Sequence, residues 1–278
     1  MPRRFGWVSS LITYLAVVIV ALYALFPMVW TLLSSVLSEF ELMNFSSGNA
    51  LPTTVSFYNY LRAFGDADFL HSLRDTSTYS LVAACLALVF GSLTGYSFAK
   101  FRYPKKGLIF FVMMVLQTTP SLAVVIPIYI MLRNTALFDT IPGLVLTYLP
   151  FDAPVVGWLM MGFFQNMPDD LLDAAAVDGC SRLEVFYRIV IPLVAPGLVA
   201  AFLWMFLSTW GEFMHAVIFT SSNVRPLTVI ISFAMGRMRA EYGYMMTQAA
   251  IGAIIPISLA LIFQRYIVRG LLEGAVKG

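Results

Sequence analysis

The sequence predicts an all-α membrane protein with six transmembrane helices, and three observations carry that prediction. First, 60% of the 278 residues are hydrophobic and 12% are charged, about half the charged share of ordinary soluble domains. A soluble chain of this length has no interior large enough for so much apolar surface, whereas a bilayer accepts it on the outside. Second, the apolar residues gather in six runs, each near the ~20 residues that a helix needs to cross the hydrocarbon core. Third, Lys and Arg are shared unevenly between the connecting segments, the pattern that orients multi-pass proteins.

The runs lie at about 8–33, 79–100, 108–132, 142–164, 196–219 and 247–266. The first follows a basic start, MPRR. It is longer than the apolar core of a secretory signal, about 7–15 residues, and lacks a small-residue cleavage site, so it reads as a retained span. The second is interrupted by Gly91 and Gly95, the third holds Pro120 and Pro127, and the fourth holds Pro154. Such residues either kink a membrane helix or break it where the freed backbone faces protein or a wet cavity. Between the first two runs, about 34–78 leans acidic, with Glu39, Glu41, Asp66, Asp68 and Asp75. It reads either as a small ordered cap or as a layer on the membrane surface.

With the N-terminus taken as cytoplasmic, the inner segments hold 11 of the 17 Lys and Arg and the outer segments hold 6. The short loop FRYPKKG contributes most. Both termini are then cytoplasmic, in a single membrane domain spanning 1–278. Its core spans cover about 79–266 and a cytoplasmic tail covers 267–278. The net charge of +2 gives no electrostatic basis for binding nucleic acid. Cys85 and Cys180 are far apart and suit neither a metal site nor a disulfide framework. Cys85 reads as a small packing residue. No G-x-x-x-x-G-K-[ST] occurs, so the chain has no P-loop for nucleotide phosphates. Neither His-rich metal spacing nor a nucleophile elbow points to an enzyme.

One segment stands out from these runs. Residues 168–192, PDDLLDAAAVDGCSRLEVFYRIVIP, are charged and punctuated. Pro168 suits a first helical position. Asp169, Asp170 and Asp173 follow at the positive end of the helix dipole, Ala174, Ala175 and Ala176 favour helix, and Gly179 supplies a left-handed stop. Ser181 and Glu184 then form an S-x-x-E capping box for a second helix, which runs through Leu183, Phe186 and Ile189 until Pro192 ends or bends it. Helices this short are marginal in water and need a docking surface. Leu172, Ala175 and Ala176 share one face, small enough for close approach to a partner groove. The other reading is an interfacial helix resting on headgroups, but those favour Lys and Arg, and anionic lipid would repel this acidic first helix.

Within the spans, Glu212 is an acid set well inside, and His215 lies three residues on. Trp210, Glu212 and His215 either border a solute path or make an interhelical hydrogen bond that only fixes packing. A proton relay is a third reading. Phe151 and Asp152, midway along the fourth run, are further solute-contact candidates.

The segment resembles the cytoplasmic signature of ATP-binding-cassette importer permeases: E-A-A, three residues, G, nine residues, I, one residue, L-P. Here Asp173-Ala174-Ala175, Gly179, Ile189 and Ile191-Pro192 keep the spacing, with Asp173 in place of Glu and Ile191 in place of Leu. Asp178 before Gly179 also matches. The tail QRYIVRGLLEGAVKG, 264–278, resembles the second permease subunit of maltose/trehalose-type sugar importers. Trp210-Gly211-Glu212-Phe213 resembles their W-N-E/D-F, departing at Gly211. The resemblance implies a type I importer permease fold and one half of a carbohydrate pathway, for a di- or oligosaccharide, in a bacterial or archaeal inner membrane.

It also implies that Asp173, Ala174, Ala175, Asp178, Gly179, Leu183, Phe186, Ile189 and Pro192 couple to a separate ATPase. Gly274, Lys277 and Gly278 would contact that ATPase, and Trp210, Glu212, Phe213, His215 and Asp152 would line the path. The implied partners are a second homologous permease, a dimer of ATP-binding subunits that hold ATP and Mg, an extracytoplasmic or lipid-anchored sugar-binding protein, and lipid. The chain itself would hold no cofactor and catalyse no reaction. The alternative of another class is a secondary transporter driven by an ion gradient through Glu212 and His215.

Overall fold

A computed structural model describes residues 6–46, 54–235 and 241–275. Among them the regular structure is helical, with no strand. In chain order the helices are α1 (Gly6–Ser35), α2 (Glu39–Ser46), α3 (Tyr58–Gly65), α4 (Ala67–Lys100), α5 (Lys106–Gln117), α6 (Val125–Asn134), α7 (Ile141–Gln165) and α8 (Asp169–Val177). They continue with α9 (Arg182–Val185), α10 (Ile191–Leu193), α11 (Ala195–Trp210), α12 (Met214–Phe219), α13 (Leu227–Met235) and α14 (Tyr242–Ala275). A 3-10 turn, Ser121–Val124, precedes α6, and a π-helical turn, Phe186–Val190, joins α9 to α10.

Among the described residues four helices are long and apolar enough to cross a membrane, and there are six if each of two bent pairs counts as one span. The proline and glycine readings separate here. The third run is broken: Lys106–Gln117 and Ser121–Asn134 meet at 89°, because Pro120 lacks an N–H and disfavours helix in the residue before it. The fourth is not broken, since α7 runs unbroken through Pro150 and Pro154. Nor is the second interrupted. Gly91 and Gly95 lie inside α4 as a contact seam, where a Cβ on Gly91 would sit 2.5 Å from Val156 Cγ1 and one on Gly95 would sit 2.6 Å from the Gly157 carbonyl. Small residues let membrane helices approach this closely. The fifth run also differs from expectation: α11 stops at Trp210, and the helix resumes as α12 only at Met214. Cys85 is exposed on α4, not packed.

The chain packs as two compact units, residues 1–70 with 231–253 and residues 71–230 with 254–278. In the first unit, large side chains along α1 such as Ile12, Val17 and Leu22 are exposed, as suits a helix whose surroundings are lipid. The acidic 34–78 stretch is ordered by α2 and α3 among its described residues. Glu39 accepts the N–H groups of Tyr242 and Gly243 at 3.2 and 3.0 Å, which satisfies orphan donors at the start of α14. Arg62 pairs with Glu241 at 2.8 Å and lies over the Tyr244 ring. Asp66 accepts the N–H groups of Asp68 and Phe69 at the start of α4. Those bonds, with one from the Tyr244 hydroxyl, hold the Asp66 carboxyl below its ordinary pKa although burial alone would raise it.

In the second unit α4 packs on α7 along the glycine seam, and Gly197 of α11 meets the Phe163 ring. A clamp fixes the loop after α12. Asp139, in the left-handed region at φ 58°, accepts four consecutive backbone N–H groups, from Ser221, Ser222, Asn223 and Val224, at 2.8–3.1 Å. Burial alone would raise its pKa, but these four donors bring it below the ordinary carboxylate value. Asp75 and Thr76 of α4 accept the next donors, Arg225 N–H and Leu227 N–H, at 3.0 and 2.9 Å.

Candidate functional site

The charged segment folds as its punctuation predicts. α8 begins at Asp169, directly after Pro168, and stops at Gly179, whose φ is +81°. The Cys180 N–H reaches back to the Ala175 carbonyl at 3.1 Å, the long bond of a Schellman stop. Both halves of the capping box are present: Ser181 Oγ accepts Glu184 N–H at 3.3 Å, and Glu184 Oε2 accepts Ser181 N–H at 2.9 Å. Beyond Val185 the helix widens. Pro192 has no N–H to donate, and the Ile191 N–H reaches five residues back to Phe186. The segment and α11 then meet at 78°, so Pro192 sits at a bend.

The free face of α8 is not the one the sequence indicated. Ala175 is 5% exposed and Leu172 half-buried, so that face turns onto the chain's own core. Asp173, Ala174, Val177, Asp178 and Gly179 are exposed, as is Leu183 of α9. The exposed surface is thus an acidic, small-residue tip flanked by Val177 at 88% and Leu183 at 73% exposure. Phe186 and Ile189 are half-buried and belong to the anchoring side.

A second cluster surrounds the gap between α11 and α12. Glu212 lies in the gap, not inside a continuous helix, so it and His215 are not neighbours on one helical face. Its carboxylate accepts the N–H groups of His215 and Ala216 at 2.8 and 3.0 Å and caps α12. The Tyr148 hydroxyl of α7 donates to it at 3.0 Å, and Thr228 of α13 donates to its backbone carbonyl at 2.9 Å. The His215 ring stacks on Tyr148 and meets Phe151 and Phe219 edge-on. It is 4% exposed, and neither ring nitrogen has a hydrogen-bond partner among the described residues.

Asp152 is half-buried one turn after Tyr148 on α7. Trp210 is buried and stacks on Phe206, while Phe213 is exposed. Sequence reasoning missed Tyr148 as the donor to Glu212. Its position four residues before Asp152, on the same helical face, was the available signal. Of the tail residues, Gly274 lies in α14, and Lys277 and Gly278 lie outside the described residues.

The family model described as binding-protein-dependent transport system inner membrane component matches residues 87–273. The chain belongs to this family. It is a multi-pass permease of a binding-protein-dependent transport system. The trehalose transport system permease protein SugB of Mycobacterium tuberculosis is 34% identical over 96% of this chain and 98% of its own. The trehalose/maltose transport system permease protein MalG of Thermococcus litoralis is 27% identical over 97% of this chain and 98% of its own. A crystal structure of a bacterial ABC transporter that imports the acidic polysaccharide alginate superimposes with a TM-score of 0.69, at 21% identity, over 100% of this chain and 99% of that one. These likenesses support the carbohydrate-importer resemblance and the type I permease fold. They lend nothing to the ion-gradient alternative.

Proposed function

We propose that this permease carries a di- or oligosaccharide into the cell as one half of an ATP-driven pathway, and that segment 168–192 couples it to a separate ATPase. The observation that carries the coupling is the segment itself: two short helices separated by a left-handed glycine and a capping box, with an exposed acidic, small-residue tip. Asp173, Ala174, Asp178, Gly179 and Leu183 form that tip, while Ala175, Phe186, Ile189 and Pro192 hold its underside and bend. ATP and Mg bind to the paired ATPase subunits, the tip faces the cytoplasm, and both termini lie on that side. A second homologous permease completes the path, and an extracytoplasmic binding protein delivers the sugar. The relatives named for trehalose and maltose support that cargo class. Glu212, His215 and Asp152 border the path. In the tail, Gly274, Lys277 and Gly278 contact the ATPase.

The test uses Cys180, beside the tip and half-exposed. In native membranes it should crosslink to a cysteine placed in the docking groove of the co-purified ATPase, and ATP should change the yield. The differential engagement is essential, since a helix that binds its partner equally in both states shifts nothing. Labelling of Cys180 from the extracytoplasmic face, or absence of an ATPase from the purified assembly, would overturn the reading. Mass spectrometry of the ligand held by the co-purified binding protein identifies the cargo.

A further inference from the structure

The last two turns of α4 grip the coupling segment at both of its ends. Lys100 closes α4, and its side chain is 9% exposed. A buried ammonium is costly unless its hydrogen-bonding capacity is met. Here Lys100 Nζ donates to the Met167 carbonyl at 2.6 Å and to Asp169 Oδ1 at 2.5 Å. Met167 belongs to the turn that leaves α7, and Asp169 is the first residue of α8. The cation therefore spans the hinge between span and coupling helix, where the negative end of the α7 dipole meets a carboxylate. The hydrogen bond and charge of Lys100 hold the exposed Asp169 carboxyl below its ordinary pKa.

One turn earlier, Tyr96 holds the other end. Its ring packs on Phe186, in the π-helical turn that leaves the segment, with centroids 5.0 Å apart. It also packs on Phe164 of α7 at 5.4 Å and on Phe101 at 5.6 Å. Phe164 is fully buried. Tyr96 and Lys100, four residues apart, thus share one face of α4 and meet the entry and exit of the same segment.

We propose that Lys100 and Tyr96 are positioning residues that make α4 the strut of coupling. They lock segment 168–192 to the end of a transmembrane helix, so that displacement of the docked tip moves α4 and is not absorbed at the 166–168 turn. The proposal rests on the reading that the segment docks on an ATPase.

The experiment uses the whole transporter, co-purified with its ATPase and second permease, reconstituted in vesicles and driven by its binding protein. Lys100→Met should leave the ATPase bound in normal stoichiometry and basal ATP hydrolysis within about twofold. It should lower the ratio of sugar imported to ATP hydrolysed by at least about tenfold. Lys100→Arg, which keeps the charge and both acceptors, should recover most of the ratio. Asp169→Asn should cost less than Lys100→Met, because the Met167 carbonyl remains. Tyr96→Phe should be neutral and Tyr96→Ala should uncouple.

An unchanged ratio in Lys100→Met overturns the strut. So does a loss of import that follows lost assembly, because that marks a residue needed only for folding. The docking reading fails separately and visibly: the wild-type preparation would then contain no ATPase, or its import would not depend on ATP.

Discussion

Gly179 offers the most direct test of how the coupling segment is built. Its φ of +81° places it where an L side chain is strained, and a Cβ there would meet nothing within 4 Å. The cost of substitution is therefore backbone strain alone, about 1–2 kcal/mol for an ordinary residue. One or two kcal/mol is a factor of about 5–30 in the population of the correct stop. Asparagine tolerates this region better than alanine does, although it is larger. The predicted order is Gly, then Asn, then Ala, then Val, whose β-branch is least tolerant of positive φ. The assay is ATP-driven sugar uptake by variants matched for membrane insertion, read together with the amount of ATPase that co-purifies. Gly179→Ala should lose several-fold, Gly179→Val more than tenfold, and Gly179→Asn the least. If loss instead follows side-chain volume, with Asn worse than Ala, or if Gly179→Ala transports like wild type, the backbone argument is wrong.

Ser181→Ala removes the acceptor of the capping box, worth about 1 kcal/mol, and should speed hydrogen exchange at the Glu184 amide about fivefold. For Asp139 the folded pKa is depressed. Its stabilisation is complete above the unfolded carboxyl value of about 3.9 and is lost as pH falls through the folded value. The gap in Tm between wild type and Asp139→Asn should therefore be steady from pH 7 to about 5 and close in stronger acid; a gap that widens in acid would contradict the clamp. Glu212→Gln keeps an acceptor for the α12 amides and should still fold, whereas Glu212→Leu strands those donors and should lower the yield of folded protein. Tyr148→Phe removes one hydrogen bond to that carboxylate, about 1.5–3 kcal/mol, and should lower Tm without abolishing insertion.

Local punctuation was legible because it rests on neighbouring residues. Gly179, Ser181 and Glu184 each act within one turn, and the stop and the capping box lie where their spacing put them. The spans were legible for the same reason, since about 20 apolar residues in a row need no tertiary knowledge. What escaped the sequence depends on distant partners. Gly91 and Gly95 read as interruptions because nothing local reveals Val156 and Gly157 across the seam. The free face of α8 differs from the expected one because Leu172 and Ala175 suit the chain's own core as well as they would suit a partner. Of the third and fourth runs, only the third broke: Pro120 came with Thr118 and Thr119, while α7 kept Pro150 and Pro154 in register.

That difference follows from where the freed backbone groups find partners. In α7, Pro154 has no N–H for the Pro150 carbonyl four residues back. Gln117, at the end of α5 where the third run breaks, donates its side-chain amide to that carbonyl at 3.3 Å. The other gap, between α11 and α12, is met on the same helix by Tyr148, whose hydroxyl holds the Glu212 carboxylate that caps α12. Both breaks thus lean on residues 148–150 of α7, and each supplies its own polar side chain to repair lost backbone bonds, as a helix interrupted in lipid requires. Gln117 and Glu212 are therefore committed to structure, and a hydroxyl-rich solute would compete with bonds the fold needs. Among the described residues, spare hydrogen-bonding capacity beside this cap lies in His215, whose two ring nitrogens are unmet and whose ring packs against Tyr148 and Phe151. The acid that looked most functional in the sequence is thus the cap of α12.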